Sequence, residues 1–523
     1  MNRREFLKLG GGALLASQTC RALALTTPTE KAPKFTTTNT RWQAAYDGAL
    51  AVLAGNVQEL PGYKQPVLIE GLGYTGIWME CGPHEALVYR KFRPDVARNS
   101  HVIFFALQCG DGQLPANIKV SETGYGQIQM GVPLASTALE LARATKDDEL
   151  LHTAYHACSR WDKWLVRNRN TRGTGLIEGV CTYDTGNDNS PRWWGVPNQC
   201  PDRDAKRYPP LTSLPRLCPD LSATAYGARL ALAGMAMELG KNGEADRWTE
   251  SAEKLRRLVL TRLYVPDDAA FYDLDAKDRF VRVRSEIITR MCAEHLPNQA
   301  LFDELWARQI HNPAAFWAPF PLPSVALDDP LFVHPPPRNS WGGAAQALTA
   351  LRAGRWFDYY GRSAEFGALM NLWCGAIQRD MTFRQQVDPL DGTFTRDDAP
   401  NYSPCALVML DYTWRLAGVC EDPEGLHWNI RPRHPAAESA LFSVQTDEGK
   451  EAVLHYHAQG AEFSLGGKLL GQMESGTVRI ITDKKGHPQA LLGIDEQVQH
   501  VAFRVPGQTP RLFTIQPNQR IAL

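Results

Sequence analysis

Beyond its first two dozen positions the sequence has no run of 18 apolar residues, so no later segment is long enough to cross a membrane as a helix. It has almost no excess of charge, with 56 Lys and Arg set against 57 Asp and Glu. Without a basic stripe or an acidic tail, no nucleic-acid partner is expected. There is no C-x-x-C pair and no His-rich spacing, so no metal site is implied, and no organic cofactor. No repeat of fixed period is visible, which removes solenoid architectures. What the chain does have is 14 tryptophans, 42 glycines and 35 prolines, many of them gathered in long irregular stretches. Neutral or weakly charged small molecules are the natural partners of such a surface.

The amino terminus reads Asn2-Arg3-Arg4-Glu5-Phe6-Leu7-Lys8, followed by a glycine-containing, mildly apolar run and the small-x-small sequence Ala22-Leu23-Ala24. This is the layout of a twin-arginine export signal over residues 1–24. Three successive glycines, Gly10 to Gly12, argue against an ordinary first helix, at about 1 kcal/mol each. The expected mature protein starts near Leu25, is periplasmic and has no membrane attachment after cleavage. Ten cysteines remain in it. Cys200 and Cys218 flank a Pro- and Asp-rich loop and are candidates for a disulfide in that compartment. Cys158, Cys374 and Cys405 occupy apolar helical positions and suit buried thiols.

About 500 residues exceed a single core, so more than one domain is expected. Within an expected domain of residues 25–419, the apolar pattern is mostly helical from Arg41 to about Val419. Stripes run through Trp42–Leu53, Val132–Ala144, Leu150–Val166, Thr224–Leu239, Ala245–Leu263, Gln299–Gln309, Gly342–Ala353, Ser363–Ile377 and Ser403–Leu416. Helices near His84–Leu107 and Ser285–His295 bring the count towards twelve. Long loops gathered at one end of such a bundle predict a mainly α helical toroid with a funnel-shaped site. Residues 420–523 change texture: Leu454–His457, Glu462–Leu465, Val478–Thr482 and Val501–Val505 alternate between turn residues, predicting a small antiparallel β-sandwich.

The chemistry concentrates in Tyr183-Asp184-Thr185-Gly186-Asn187-Asp188-Asn189-Ser190-Pro191-Arg192-Trp193. Carboxylates beside aromatic rings in a turn-rich loop suit sugars, where one acid protonates a glycosidic oxygen and flat faces hold the ring. The ordinary alternative is that Asp188 caps a turn or pairs with Arg192, and that the tryptophans are core rings. The loop resembles a signature of the (α/α)6 glycoside hydrolases related to family 63, which include processing α-glucosidases and mannosylglycerate hydrolases, with trehalases as cousins. Further segments are similar to that group: Tyr74-Thr75-Gly76-Ile77-Trp78-Met79-Glu80, Gln108-Cys109-Gly110-Asp111-Gly112-Gln113-Leu114-Pro115, Phe316–Phe332 and Asn339-Ser340-Trp341-Gly342-Gly343. The resemblance implies Asp188 as general acid. It implies a substrate-binding set of Trp78, Glu80, Gln108, Asp111, Asp184, Asn189, Arg192, Trp193, Trp341 and Gln385, with the three tryptophans walling the pocket.

One departure matters. The resemblance implies a general-base glutamate in the late loop Phe383-Arg384-Gln385-Gln386-Val387-Asp388-Pro389-Leu390-Asp391-Gly392, but Gln385 stands there. An amide cannot take a proton from water, and losing a general base costs about 10²–10⁴-fold. Three readings stay open. Asp388 or Asp380 serves as base; phosphate replaces water in a glycoside phosphorylase, with Arg384 and Arg338 as anion contacts; or the protein binds glycans without turning them over. The leading expectation is a periplasmic inverting glycosidase acting on an α-linked glucosyl-type or related oligosaccharide or glycoside. The sugar, the linkage and the oligomeric state are not legible.

Overall fold

The computed structural model describes residues 32–523. The twin-arginine pair and the cleavage site at residues 22–24 lie outside the described residues. Six helices form a closed cycle of contacts: Gly82–Tyr89, Leu134–Thr145, Pro219–Glu238, Ile287–Ala293, Ala347–Ala353 and Ser403–Ala417 each pack on the next, and the last returns to the first. Five more back onto them. Thr40–Gly55 and Ser363–Asp380 lie on Ser403–Ala417, Pro94–Ala106 on Gly82–Tyr89, Asp148–Asn168 on Leu134–Thr145, and Asn242–Arg262 on Pro219–Glu238. Gln299–Leu305 completes twelve helices among the described residues.

Sequence explains which helices go inside. Every residue of Ile287–Ala293 and of Ala347–Ala353 is buried, since both are apolar or small apart from Arg290 and Arg352, which pair with Glu286 and Glu80. Asn242–Arg262 buries only Ala245, Ala252, Leu255 and Val259, a single stripe on an otherwise charged helix. The helix expected over His84–Leu107 breaks into two at residues 90–93, because Pro94 lacks an amide donor and disfavours helical geometry in the residue before it. The helix expected from Gly342 begins only at Ala347, since Ala345–Gln346 pairs as a short strand with Gln386–Val387. That pairing ties the Asn339 loop to the Gln385 loop.

After Val419 the chain forms a five-stranded antiparallel sheet and most of a seven-stranded one. The four strands expected there are present, at Glu451–His457, Gly460–Leu465, Val478–Thr482 and Gln499–Arg504. The edge of the seven-stranded sheet comes from far away: Lys34–Thr36 pairs with residues 441–443, and Phe35 packs between Tyr46 and Phe442, both at 4.7 Å. A short alternating segment this far from its partners carries no sequence signal of the pairing. Trp428 of the smaller sheet meets Phe463 of the larger at 5.0 Å, so the sheets share a core.

All ten described cysteines are free. Cys158, Cys374 and Cys405 are buried thiols. The expected Cys200–Cys218 pairing is not formed, because the loop folds Cys200 Sγ to 3.9 Å from Cys181 while Cys218 Sγ faces the Arg216 carbonyl. Among the described residues no helix is long and apolar enough to cross a membrane.

Candidate active site

Each chemistry-bearing loop leads into one helix of the closed cycle. Glu80 comes just before Gly82–Tyr89, Gln129 before Leu134–Thr145, the Asp188 loop before Pro219–Glu238, Asn339 before Ala347–Ala353, and Gln385 with Asp398 before Ser403–Ala417. Loops entering a ring of helices at their amino ends converge on one face, where exposed N–H groups add positive potential.

Asp188 sits there half-buried. Its Oδ2 accepts from Asn339 Nδ2 at 2.9 Å, and its Oδ1 is shut off from solvent with no partner. Its backbone carbonyl accepts from the Trp341 N–H at 3.0 Å, which fixes the loop. Burial pushes the carboxyl up to about 7; the nearby Glu80 charge adds to this and the Asn339 hydrogen bond works against it. An acid poised there is protonated near neutrality and able to donate. Glu80 reaches in against Gly186, whose φ of 70° favours glycine and where a Cβ would lie 1.9 Å from Glu80 Oε2. Gln129 at 3.2 Å and Arg352 at 3.4 Å hold the Glu80 carboxylate.

Asn339 joins Asp188 to Gln385. Its Oδ1 accepts from Gln385 Nε2 at 2.7 Å, while Gln385 Oε1 accepts from the Tyr74 hydroxyl at 2.8 Å. Its backbone, at φ 47°, donates N–H to Asp398 Oδ1 at 3.0 Å, and its carbonyl accepts from Asn189 Nδ2 at 2.9 Å. A single amide group therefore spans Asp188 and Gln385, which lie no more than about 8 Å apart, a spacing compatible with groups flanking a scissile glycosidic bond. The Asn339 side-chain amide stands in the interval between Asp188 and Gln385 and bonds both. A cavity of about 410 Å³ lies elsewhere, between the helices and the sheets, with Leu87, Arg355, Leu410, Trp414 and Leu426 among its walls.

Of the expected site residues, Trp78, Glu80, Asn189 and Gln385 join Asp188. Trp78 is half-buried and meets Tyr74 edge-on at 5.8 Å. The others do not. Asp184 is fully buried, bound to Arg169 at 2.6 Å and to the N–H groups of Ile128, Val180 and Cys181, so it is a strut without a free oxygen. Arg192 spends its guanidinium on Asp220, Asp273 and Asn187, leaving no donor for a substrate. Trp193 and Trp341 are each 2% exposed. They are core rings, with Arg216 over the first at 5.0 Å and Arg290 over the second at 5.5 Å.

Gln108 and Asp111 are stapled to the Asp148–Asn168 helix. Gln108 Nε2 donates to the carbonyls of Gly112 and Ala157, and Asp111 accepts from the Trp164 indole while facing Lys206 at 3.4 Å. Both expected substitute bases are also occupied. Asp388 pairs with His334 at 2.8 Å and accepts the Leu390 N–H, and Asp380 caps Thr382 at an exposed helix end. Arg384 donates through Nε to the Thr382 hydroxyl and through Nη1 to the carbonyls of Arg396 and Asp398.

Tyr74, Gln129, Asn339 and Asp398 are the residues that sequence reasoning missed. Tyr74 and Asn339 stood inside quoted segments, but nothing in their spacing marked them as the link between acid and amide. Replacing Asn339 with Ala removes a hydrogen bond that favours the charged carboxylate. We expect the basic limb of the pH–rate profile, near 7 from Asp188, to move upward in Asn339→Ala; an unmoved limb would separate that limb from Asp188.

Residues 74–414 match the family model described as the mannosylglycerate hydrolase MGH1-like glycoside hydrolase domain. No curated protein matches the chain. The family 63 mannosylglycerate hydrolase of Thermus thermophilus, in complex with Tris, superposes with a TM-score of 0.58 at 19% identity, covering 71% of this chain and 100% of that one. A family 78 rhamnosidase of a Bacillus species gives 0.57 at 11%, covering 82% and 40%. Neutral trehalase of Saccharomyces cerevisiae gives 0.53 at 13%, covering 68% and 76%. At these identities the likeness is one of fold.

Proposed function

Since the chain belongs to the mannosylglycerate hydrolase MGH1-like glycoside hydrolase family and is a glycosidase, we propose that it hydrolyses an α-linked glucosyl-type or related oligosaccharide or glycoside with inversion, Asp188 being the general acid. The observation that carries this reading is the Asp188 carboxyl itself: an oxygen without a partner, and a pKa raised to about 7 by burial and by Glu80. Protonated, it donates to the departing glycosidic oxygen. Glu80 and Asn189 contact ring hydroxyls, and Tyr74 and Trp78 supply aromatic edges. Asn339 swings out as the sugar enters, releasing Asp188 and Gln385 together.

The same proposal takes the closed cycle and its outer helices as an (α/α)6 toroid over residues 25–419. It takes the two sheets as a β-sandwich of residues 420–523 that borrows the Lys34–Thr36 strand. Export by the twin-arginine route to the periplasm accompanies it, on the strength of Arg3, Arg4 and the small-x-small sequence at residues 22–24. A panel of aryl glycosides and natural oligosaccharides, assayed with and without phosphate, tests the function. Sugar release independent of phosphate supports hydrolysis. A sugar 1-phosphate product would make the enzyme a phosphorylase, and tight binding with no product would contradict the catalytic reading.

A further inference from the structure

If Asp188 is the acid, the site still needs a group that takes a proton from water, and Gln385 cannot. Asp398 bonds the backbone of Asn339. It is 3% exposed, its Oδ1 accepts the Asn339 N–H at 3.0 Å, and its Oδ2 is buried with no partner. Asp188 and Asp398 thus grip the same residue, one through the side-chain amide and the other through the backbone. That places the two carboxyls within about 10 Å of each other, compatible with the roughly 6.5–9.5 Å that inverting glycosidases use to fit a water between sugar and base. Each carboxyl keeps one oxygen free.

The charges around Asp398 suit a base. Arg338 and Arg384 face it and favour the carboxylate, Asp397 opposes them, and Tyr74 lies close to both Asp398 and Asp188. Burial raises both carboxyls, Asp398 to about 6 and Asp188 to about 7, but arginines favour the charged form at Asp398 whereas Glu80 disfavours it at Asp188.

We propose that Asp398 is the catalytic base, replacing the glutamate whose place Gln385 has taken; the proposal rests on the hydrolase reading above. As the water oxygen bonds to the anomeric carbon, its proton passes to Asp398 Oδ2. The glycosidic C–O bond breaks and its oxygen takes the proton of Asp188. Exchange with solvent returns both carboxyls to their starting states. Gln385, still held by the Tyr74 hydroxyl at 2.8 Å once Asn339 has left it, positions the water and takes no proton.

The test compares wild type, Asp188→Asn, Asp398→Asn and Asp398→Ala on the same glycoside. Asn at 398 still accepts the Asn339 N–H, so the loop keeps its anchor. The expected result for Asp398→Asn is a fall in kcat of about 10²–10⁴-fold, KM changed little, and loss of the acidic limb near pH 6. In Asp398→Ala, azide restores turnover and yields a glycosyl azide of inverted configuration. Turnover of Asp398→Asn within about threefold of wild type would overturn the proposal, as would a retained acidic limb. If Asp398→Asn does not fold, the azide product from Asp398→Ala decides. Gln385→Glu is expected not to raise turnover, because the base is already supplied at 398; a rise would put the base at 385 and overturn the proposal. A wild type with no turnover, or an Asp188→Asn variant without loss, would bring down the underlying reading instead.

Discussion

Asp188→Asn is expected to lower kcat on unactivated glycosides by about 10²–10⁴-fold while leaving the fold intact. Asn keeps the size of the side chain and can still accept from Asn339 Nδ2, so the loss isolates the proton. The same substitution has a second consequence, in stability. The carboxyl of Asp188 rises from an ordinary 3.8 to about 7 on folding, so the native state holds its proton more tightly than the unfolded chain does. The stability linked to that proton is full below the unfolded value of 3.8 and is lost as pH rises through about 7. A permanently neutral Asn escapes the cost of ionisation, which for such a shift is on the order of 2–4 kcal/mol at most. Thermal melts at about pH 4 and about pH 8.5, on either side of that shift, check this. The variant should match wild type at the lower pH and melt higher at the upper one. Equal melting at both would mean that Asp188 is not desolvated.

Arg192→Ala is expected to act in the opposite way, through the fold. Arg192 is 1% exposed and ties the active-site loop to Asp220 at the start of the Pro219–Glu238 helix and to Asp273 of a neighbouring short strand. Removing it strips both buried carboxylates of their shared cation, with only Arg290, 3.6 Å from Asp220, left nearby. Breaking a buried pair from one side costs about 3–5 kcal/mol, and here two pairs share one guanidinium. Chemical denaturation should show the midpoint falling sharply. A loss of affinity for glycosides with unchanged stability would instead restore Arg192 to the substrate.

Arg192 and Asp184 show where sequence reasoning stopped. The segment from Tyr183 to Trp193 is visibly a functional loop, because its turn residues, charges and rings fit neither a helix nor a strand. Yet a charged residue that holds such a loop and one that meets the substrate look alike in one dimension. Asp184 and Asp188 lie four positions apart in the chain. One faces Arg169 in the interior and the other ends with an unpartnered oxygen. The difference comes from Gly186 and Asn189, whose φ values of 70° and 58° turn the chain between and after them. Trp193 and Trp341 repeat the lesson: the resemblance made them a sugar wall, but each carries an arginine on its face inside the core.

The helices were more legible, since long apolar stripes of helical period leave little choice. Their boundaries moved where proline or a short strand intervened, at Pro94 and at Ala345–Gln346. Long-range pairings left no trace. Lys34–Thr36 joins a sheet whose other strands follow Val419, and Asp398 reaches the site only because the turn at residues 395–401 folds back on Asn339. The composition of that turn, Arg396-Asp397-Asp398-Ala399-Pro400, reads as a solvated bend.

The account stands on proton donation by Asp188, and aryl glycosides of one sugar, graded by leaving-group acidity, measure it directly. With Asp188→Asn, kcat/KM is expected to fall steeply as the phenol becomes less acidic and to approach wild type for a dinitrophenyl leaving group, which needs no proton. A uniform loss across the series, or no loss at all, would contradict it.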